Sequence, residues 1–122
     1  MMARMFDAAV LAALHTAQEV RIRTSGRPDR GVTIWIVVAG EMVFVRSFRG
    51  PKAVWYSAAM ADGQASLEIE GRLVPVQVTP VDDPATIAAV SQEFLGKYAE
   101  SPYAQAMVAP EISDTTLRLS PM

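Results

Sequence analysis

Apolar and polar residues alternate along EVRIRTS (residues 19–25), with Val20 and Ile22 on one side and Arg21 and Arg23 on the other. That period of two predicts a half-buried strand. Upstream, Phe6, Val10, Leu11 and Leu14 recur at helical spacing and predict an amphipathic helix over residues 5–17. GRPDRG (26–31) is dense in Gly and Pro and reads as a turn-rich loop. The strongest signal follows in VTIWIVVAGEMVFVRSF (32–48), two β-branched and aromatic runs around Gly40-Glu41. Gly at the first central position suits a tight II′ hairpin turn. VTIWIVV is apolar on both faces, so it should be covered on both sides, by the core and by a helix or partner subunit. The second run sends Val43, Val45 and Ser47 to one face and Phe44, Arg46 and Phe48 to the other.

Pro51 fits the first turn of a helix, so residues 52–60 predict a short helix that carries Trp55 and Tyr56 and stops near Asp62-Gly63. A second hairpin comes next: ASLEIE, a turn at Gly71-Arg72, then LVPVQVTPV. Pro75 and Pro80 lack a ladder donor, which assigns that last strand to an edge or a bulge. Asp83 reads as an N-cap and Pro84 as the first residue of a helix to about Tyr98, buried through Ile87, Val90, Phe94 and Leu95. The tail from 101 to 122 contains Pro102 and Pro110, with a short strand expected in TTLRLS. A meander of five or six strands must close or stack to bury its two-sided member. The expected fold is mainly β with flanking helices, a small antiparallel barrel in a single domain.

Composition narrows the function classes. The 122 residues are 51% apolar and 20% charged, the balance of a globular domain. A net charge of −2 argues against general nucleic-acid binding. The absence of cysteine excludes disulfides, thiolate metal sites and thiol catalysis, and is compatible with a cytoplasmic setting. AAVLAAL (8–14) is far short of the ~20 residues of a membrane span, and no clean cleavage site follows it.

Familiar catalytic sets are missing. His15 is the single histidine, on a predicted helix, and no serine sits in a G-x-S-x-G elbow. Asp82 and Asp83 read as helix-cap and dipole residues rather than a catalytic pair. Glu68 and Glu70 read as the outward face of a strand. No Walker loop, no G-x-G-x-x-G element and no metal-ligand spacing occurs. One constellation stands out. No acid falls between Met42 and Ala61, whereas Arg46, Arg49 and Lys52 do, so this segment carries +3 and the remainder −5. Guanidinium forks match phosphate oxygens, Gly50 permits close backbone approach, and the predicted helix start offers free N–H groups. Trp55 and Tyr56 stand ready to line an adjoining aromatic slot. A solvated loop before a helix is the competing reading of the same residues.

TSGR, VTIWIVV with its hairpin into VFVRSFRG, the WY pair and LVPVQVTPVDD together resemble the flavin-binding split-barrel superfamily. That superfamily comprises the pyridoxamine-phosphate oxidase-like and deazaflavin-dependent nitroreductase-like proteins. The resemblance covers roughly residues 18 to 100 and is closest to a family of unknown function within the group. It implies a six-stranded split barrel that forms a homodimer, with FMN or a deazaflavin in a groove at the interface. The implied cofactor contacts are Arg46, Ser47, Arg49, Gly50, Lys52, Trp55 and Tyr56, with Thr24, Ser25 and Arg27 bordering the same groove. Phe48 stands where many relatives have a small residue, which narrows the expected site. No substrate-activating residue matches. The expected function is a flavin- or deazaflavin-binding oxidoreductase of unknown substrate. The alternatives are a non-catalytic ligand-binding module and a dimeric scaffold.

Overall fold

A computed structural model describes residues 5–25 and 31–122. Helix α1 (Ala8–Thr16) starts where the Asp7 carboxylate accepts the Val10 N–H at 2.9 Å, three residues later than the apolar spacing suggested. Strands β1 (Val20–Arg23), β2 (Val32–Ile34), β3 (Ile36–Ala39) and β4 (Met42–Val45) follow. After helix α2 (Val54–Asp62) come β5 (Gln64–Ile69) and β6 (Arg72–Pro80). Helix α3 (Pro84–Lys97), the single turn α4 (Pro110–Ser113) and β7 (Leu117–Pro121) complete the chain.

Among the described residues, seven strands form one antiparallel sheet in the order β2-β1-β5-β6-β7-β4-β3. Its two edge strands are consecutive in sequence, with only Trp35 between them. The chain itself therefore bridges the edges and the sheet nearly closes into a barrel. This changes the expected strand count from six to seven. VTIWIVV is not one strand but two half-strands, the first paired with β1 and the second with β4.

Both hairpins have two-residue turns. Gly40 (φ 64°) precedes Glu41 between the paired Ala39 and Met42, as expected. In the second hairpin Ile69 pairs with Arg72, so the turn is Glu70-Gly71 rather than Gly71-Arg72. Glu70 (φ 50°) and Gly71 (φ 79°) are both left-handed, the type I′ pattern, which removes Glu70 from the strand face.

β6 is not an edge strand. It lies between β5 and β7, and its prolines are accommodated by position. The Val78 N–H points to Gly63 on the β5 side and the Val81 N–H to Thr116 on the β7 side. Alternation then aims the Pro80 nitrogen past the first residue of β5. The Pro75 nitrogen faces the β7 side just before pairing begins at Val76↔Pro121. Neither ring interrupts a ladder bond.

One core gathers the inner face of all seven strands, among them Ile22, Ile34, Val38, Val43, Leu67 and Leu119, together with Leu14 of α1 and Trp55 of α2. A second lies outside β3 and β4, where Val37 and Phe44 meet Val90 and Phe94 of α3. α3 covers the outer face of β3 as expected, whereas Val32 and Thr33 of β2 are exposed, so the first half of VTIWIVV is not covered on both sides. Asp83 caps α3 and Pro84 opens it, as the sequence indicates.

The end of α3 locks the barrel at its crossover. The Ile36 N–H donates to the Tyr98 hydroxyl at 3.1 Å, and that hydroxyl lies 2.8 Å from the Gln18 carbonyl. Trp35 stacks flat on Tyr98, with centroids 3.8 Å apart and planes 2° from parallel. Lys97 Nζ donates to the carbonyls of Leu14 (3.0 Å) and Ile36 (2.7 Å), tying α1 to the same point. Tyr98→Phe keeps the ring stack but orphans a buried N–H. Urea unfolding should register a loss of about 1–2 kcal/mol.

Burial lowers the Lys97 pKa from 10.5 to about 8. Between those values the unfolded chain holds a proton that the folded chain has released, so stability from this group rises with pH over that window. Wild type should therefore gain stability relative to Lys97→Met from pH 8 to pH 10. A constant difference between the two would contradict the assignment.

Candidate functional site

Between the β2–β3 crossover and the start of α2 lies a groove of about 920 Å³. Its floor and walls include Ile22, Ile34, Trp35 and Trp55, and its rim carries Phe48, Arg49, Lys52 and Tyr103. The rim is built by a short piece of local chemistry after β4. Ser47 Oγ donates to the Gly50 carbonyl at 2.7 Å, and the Gly50 N–H donates back to the Ser47 carbonyl at 2.9 Å. With Arg49 at φ −88° and ψ 6°, residues 47–50 form a type I turn, Ser first and Gly last. Phe48 and Arg49 are its two tip residues. Gly50 sits at φ 76°, where a side chain is strained, and a Cβ there meets nothing nearer than Ile112 Cδ1 at 4.0 Å. Gly50→Ala should therefore reduce stability by about 1 kcal/mol through the backbone alone, read as a shift in the urea midpoint.

Pro51 falls in a single 3-10 turn (Gly50–Lys52), and α2 starts only at Val54. The expected helix at 52–60 is thus displaced, because Ala53 (φ −63°, ψ 134°) is extended and breaks the two apart. Lys52 ends the 3-10 turn, beside Arg49 in the lining.

Of the ten expected contact residues, Thr24, Arg46, Arg49, Lys52 and Trp55 line the groove. Ser47 and Gly50 build the turn, and their polar groups bond to each other, to Thr115 or to the Ala53 N–H. Tyr56 packs edge-on against Trp55 at 6.1 Å and against the inner core, outside the lining. Burial, then the charge of Asp114, raises its pKa. Ser25 is exposed and hydrogen-bonds Asp62. Arg27 lies outside the described residues.

Arg46 is the departure with most consequence. It is 1% exposed, and four bonds take up its guanidinium. Nε donates to Thr116 Oγ1 (2.9 Å), Nη1 to Ser91 Oγ (3.0 Å) and the Met107 carbonyl (2.9 Å), and Nη2 to the Ile87 carbonyl (3.0 Å). Its carbon lies 5.3 Å from the Phe94 ring centre. Desolvation lowers its pKa to about 10. Arg46 backs the groove wall as a brace between β4, α3 and the C-terminal segment, instead of reaching into the space as a free cation.

Sequence reasoning overlooked Tyr103, Trp35, Glu19 and Met107 as lining residues. Trp35 carried a usable signal, an aromatic in the middle of a two-sided run. Tyr103 and Met107 carried none, because only the return of β7 between β6 and β4 brings the tail alongside.

These features define a small antiparallel barrel, nearly closed, with helices outside and a groove basic at one rim and aromatic along its walls. The chain belongs to a bacterial family described as "Uncharacterized protein conserved in bacteria (DUF2255)", whose model matches residues 10–119. Eight chains of solved structures match. One is the conserved hypothetical protein Rv2991 from Mycobacterium tuberculosis, at TM-score 0.63 and 12% identity, covering 98% of this chain and 83% of that one. At that identity the likeness concerns fold alone. Among curated proteins none matches.

Proposed function

We propose that the groove binds FMN or a deazaflavin and that the protein is an oxidoreductase or carrier built on that cofactor. The observation that carries the reading is the meeting of Arg49 and Lys52 with Trp35 and Trp55 in one groove of about 920 Å³. That volume suits a cofactor-sized molecule. The donor set fits the group. Arg49 offers a fork and Lys52 a mobile point charge to a phosphate, the Thr24 hydroxyl adds a hydrogen bond, and the indoles give the groove an aromatic wall. When bound, the cofactor supplies the hydride or electron chemistry. The protein grips the phosphate, orients the ring and keeps water from one side of it.

A binding module without turnover is the second reading. It is favoured by a lining that holds no histidine and, among the described residues, a single acid, Glu19. Incubation of purified protein with each cofactor, followed by desalting and a visible spectrum, tests the proposal. Retained flavin or deazaflavin absorbance supports it, and a colourless protein after both incubations overturns it. Turnover of the loaded protein with a reductant and a quinone or nitro acceptor separates enzyme from module.

A further inference from the structure

Phe48 and Tyr103 are 53% and 59% exposed, yet they touch edge to face, with centroids 5.9 Å apart and planes at 89°. Single exposed aromatics are ordinary, but a contacting pair on the rim of a groove is an exposed apolar patch with a geometry. The pair comes from segments 55 residues apart in sequence, and the fold holds each one in place. Phe48 occupies the tip of the Ser47–Gly50 turn. The Tyr103 N–H donates to Ser101 Oγ at 3.1 Å, and its carbonyl accepts the N–H groups of Ala106 (3.1 Å) and Met107 (3.3 Å). Arg46 in turn grips the Met107 carbonyl. Neither ring is spent on the hydrophobic cores, since both cores are complete without them.

We infer that Phe48 and Tyr103 form the ring-binding half of the groove: an L-shaped aromatic clip in which a planar aromatic ligand stacks on one ring and meets the other edge-on, with its anionic end on Arg49 and Lys52. The inference rests on the cofactor reading above and adds to it the residues that select for a flat ring. Charge complementarity supports it, because the same turn tip presents Phe48 and the cation Arg49 side by side. A ligand that satisfies both must be flat at one end and negative nearby. An edge-to-face pair also leaves an open face on each ring for stacking.

Fluorescence titrations of wild type and two double variants separate ring contacts from phosphate contacts, using FMN and riboflavin, which share a ring but differ in the phosphate. The double variant Phe48→Ala/Tyr103→Ala should weaken FMN and riboflavin alike, by on the order of tenfold. Arg49→Ala/Lys52→Ala should weaken FMN and leave riboflavin unchanged. All four side chains lie on the rim, so circular dichroism should show both variants folded. Unchanged affinity for both ligands in the aromatic variant, with FMN still lost in the basic variant, overturns the clip and keeps the cofactor reading. Weakening of both ligands in the aromatic variant, with no effect in the basic one, keeps the clip and removes the phosphate grip. Failure of wild type to bind FMN, riboflavin and a deazaflavin alike overturns both.

Discussion

Arg46→Met should lower the free energy of unfolding by about 3 kcal/mol, more than either Tyr98→Phe or Gly50→Ala. The guanidinium bonds two backbone carbonyls, Ile87 and Met107, and two hydroxyls, Ser91 and Thr116. Methionine fills a similar volume but donates nothing, so buried acceptors lose their partners at about 1–3 kcal/mol each. Relief of the desolvation that lowers the arginine pKa to about 10 works in the opposite direction and keeps the total well below the sum. Arg46→Lys should recover little, because one ammonium cannot reach four acceptors laid out for a planar fork. Urea unfolding followed by tryptophan fluorescence reads the change directly. A loss below about 0.5 kcal/mol would remove Arg46 from its bracing role.

Arg49→Ala/Lys52→Ala should weaken FMN by on the order of a hundredfold or more while the fold stays intact. Each charge-assisted contact to a phosphate contributes about 1.5–3 kcal/mol, and every 1.4 kcal/mol is tenfold in affinity. Both side chains are exposed at the groove rim, so stability should change little. The effect should shrink as salt rises, because exposed charges are screened. An equal loss for riboflavin would point instead to collapse of the turn that carries Arg49.

Arg46 and Arg49 also show what the sequence can and cannot reveal. Both stood in the same basic run, and charge counting treated them alike. Strand alternation already placed Arg46 on the face of Phe44, the outer face that α3 covers. Burial was therefore readable in the pattern, but the cage of acceptors was not, because it comes from Ile87, Met107 and Thr116, more than 40 residues away. The two hairpins, though not the position of the second turn, and the Asp83 cap were legible because each depends on a few adjacent residues. Trp35 as the break between two edge strands was not, since local β propensity is continuous through VTIWIVV and only barrel closure interrupts it. The interior place of β6 was hidden for a related reason. Pro75 and Pro80 argue against a central strand unless the neighbouring strands begin and end beside them, and that staggering is a property of the sheet. Tyr103 and the rest of the tail follow the same logic, entering the site through the long return to β7.

The most direct test of the groove as a cofactor site is a fluorescence-quench titration of wild-type protein into FMN and into a deazaflavin. Saturable quenching of at least one of them is expected, weakening in the Arg49→Ala/Lys52→Ala variant. Linear, unsaturated fluorescence with both would contradict it.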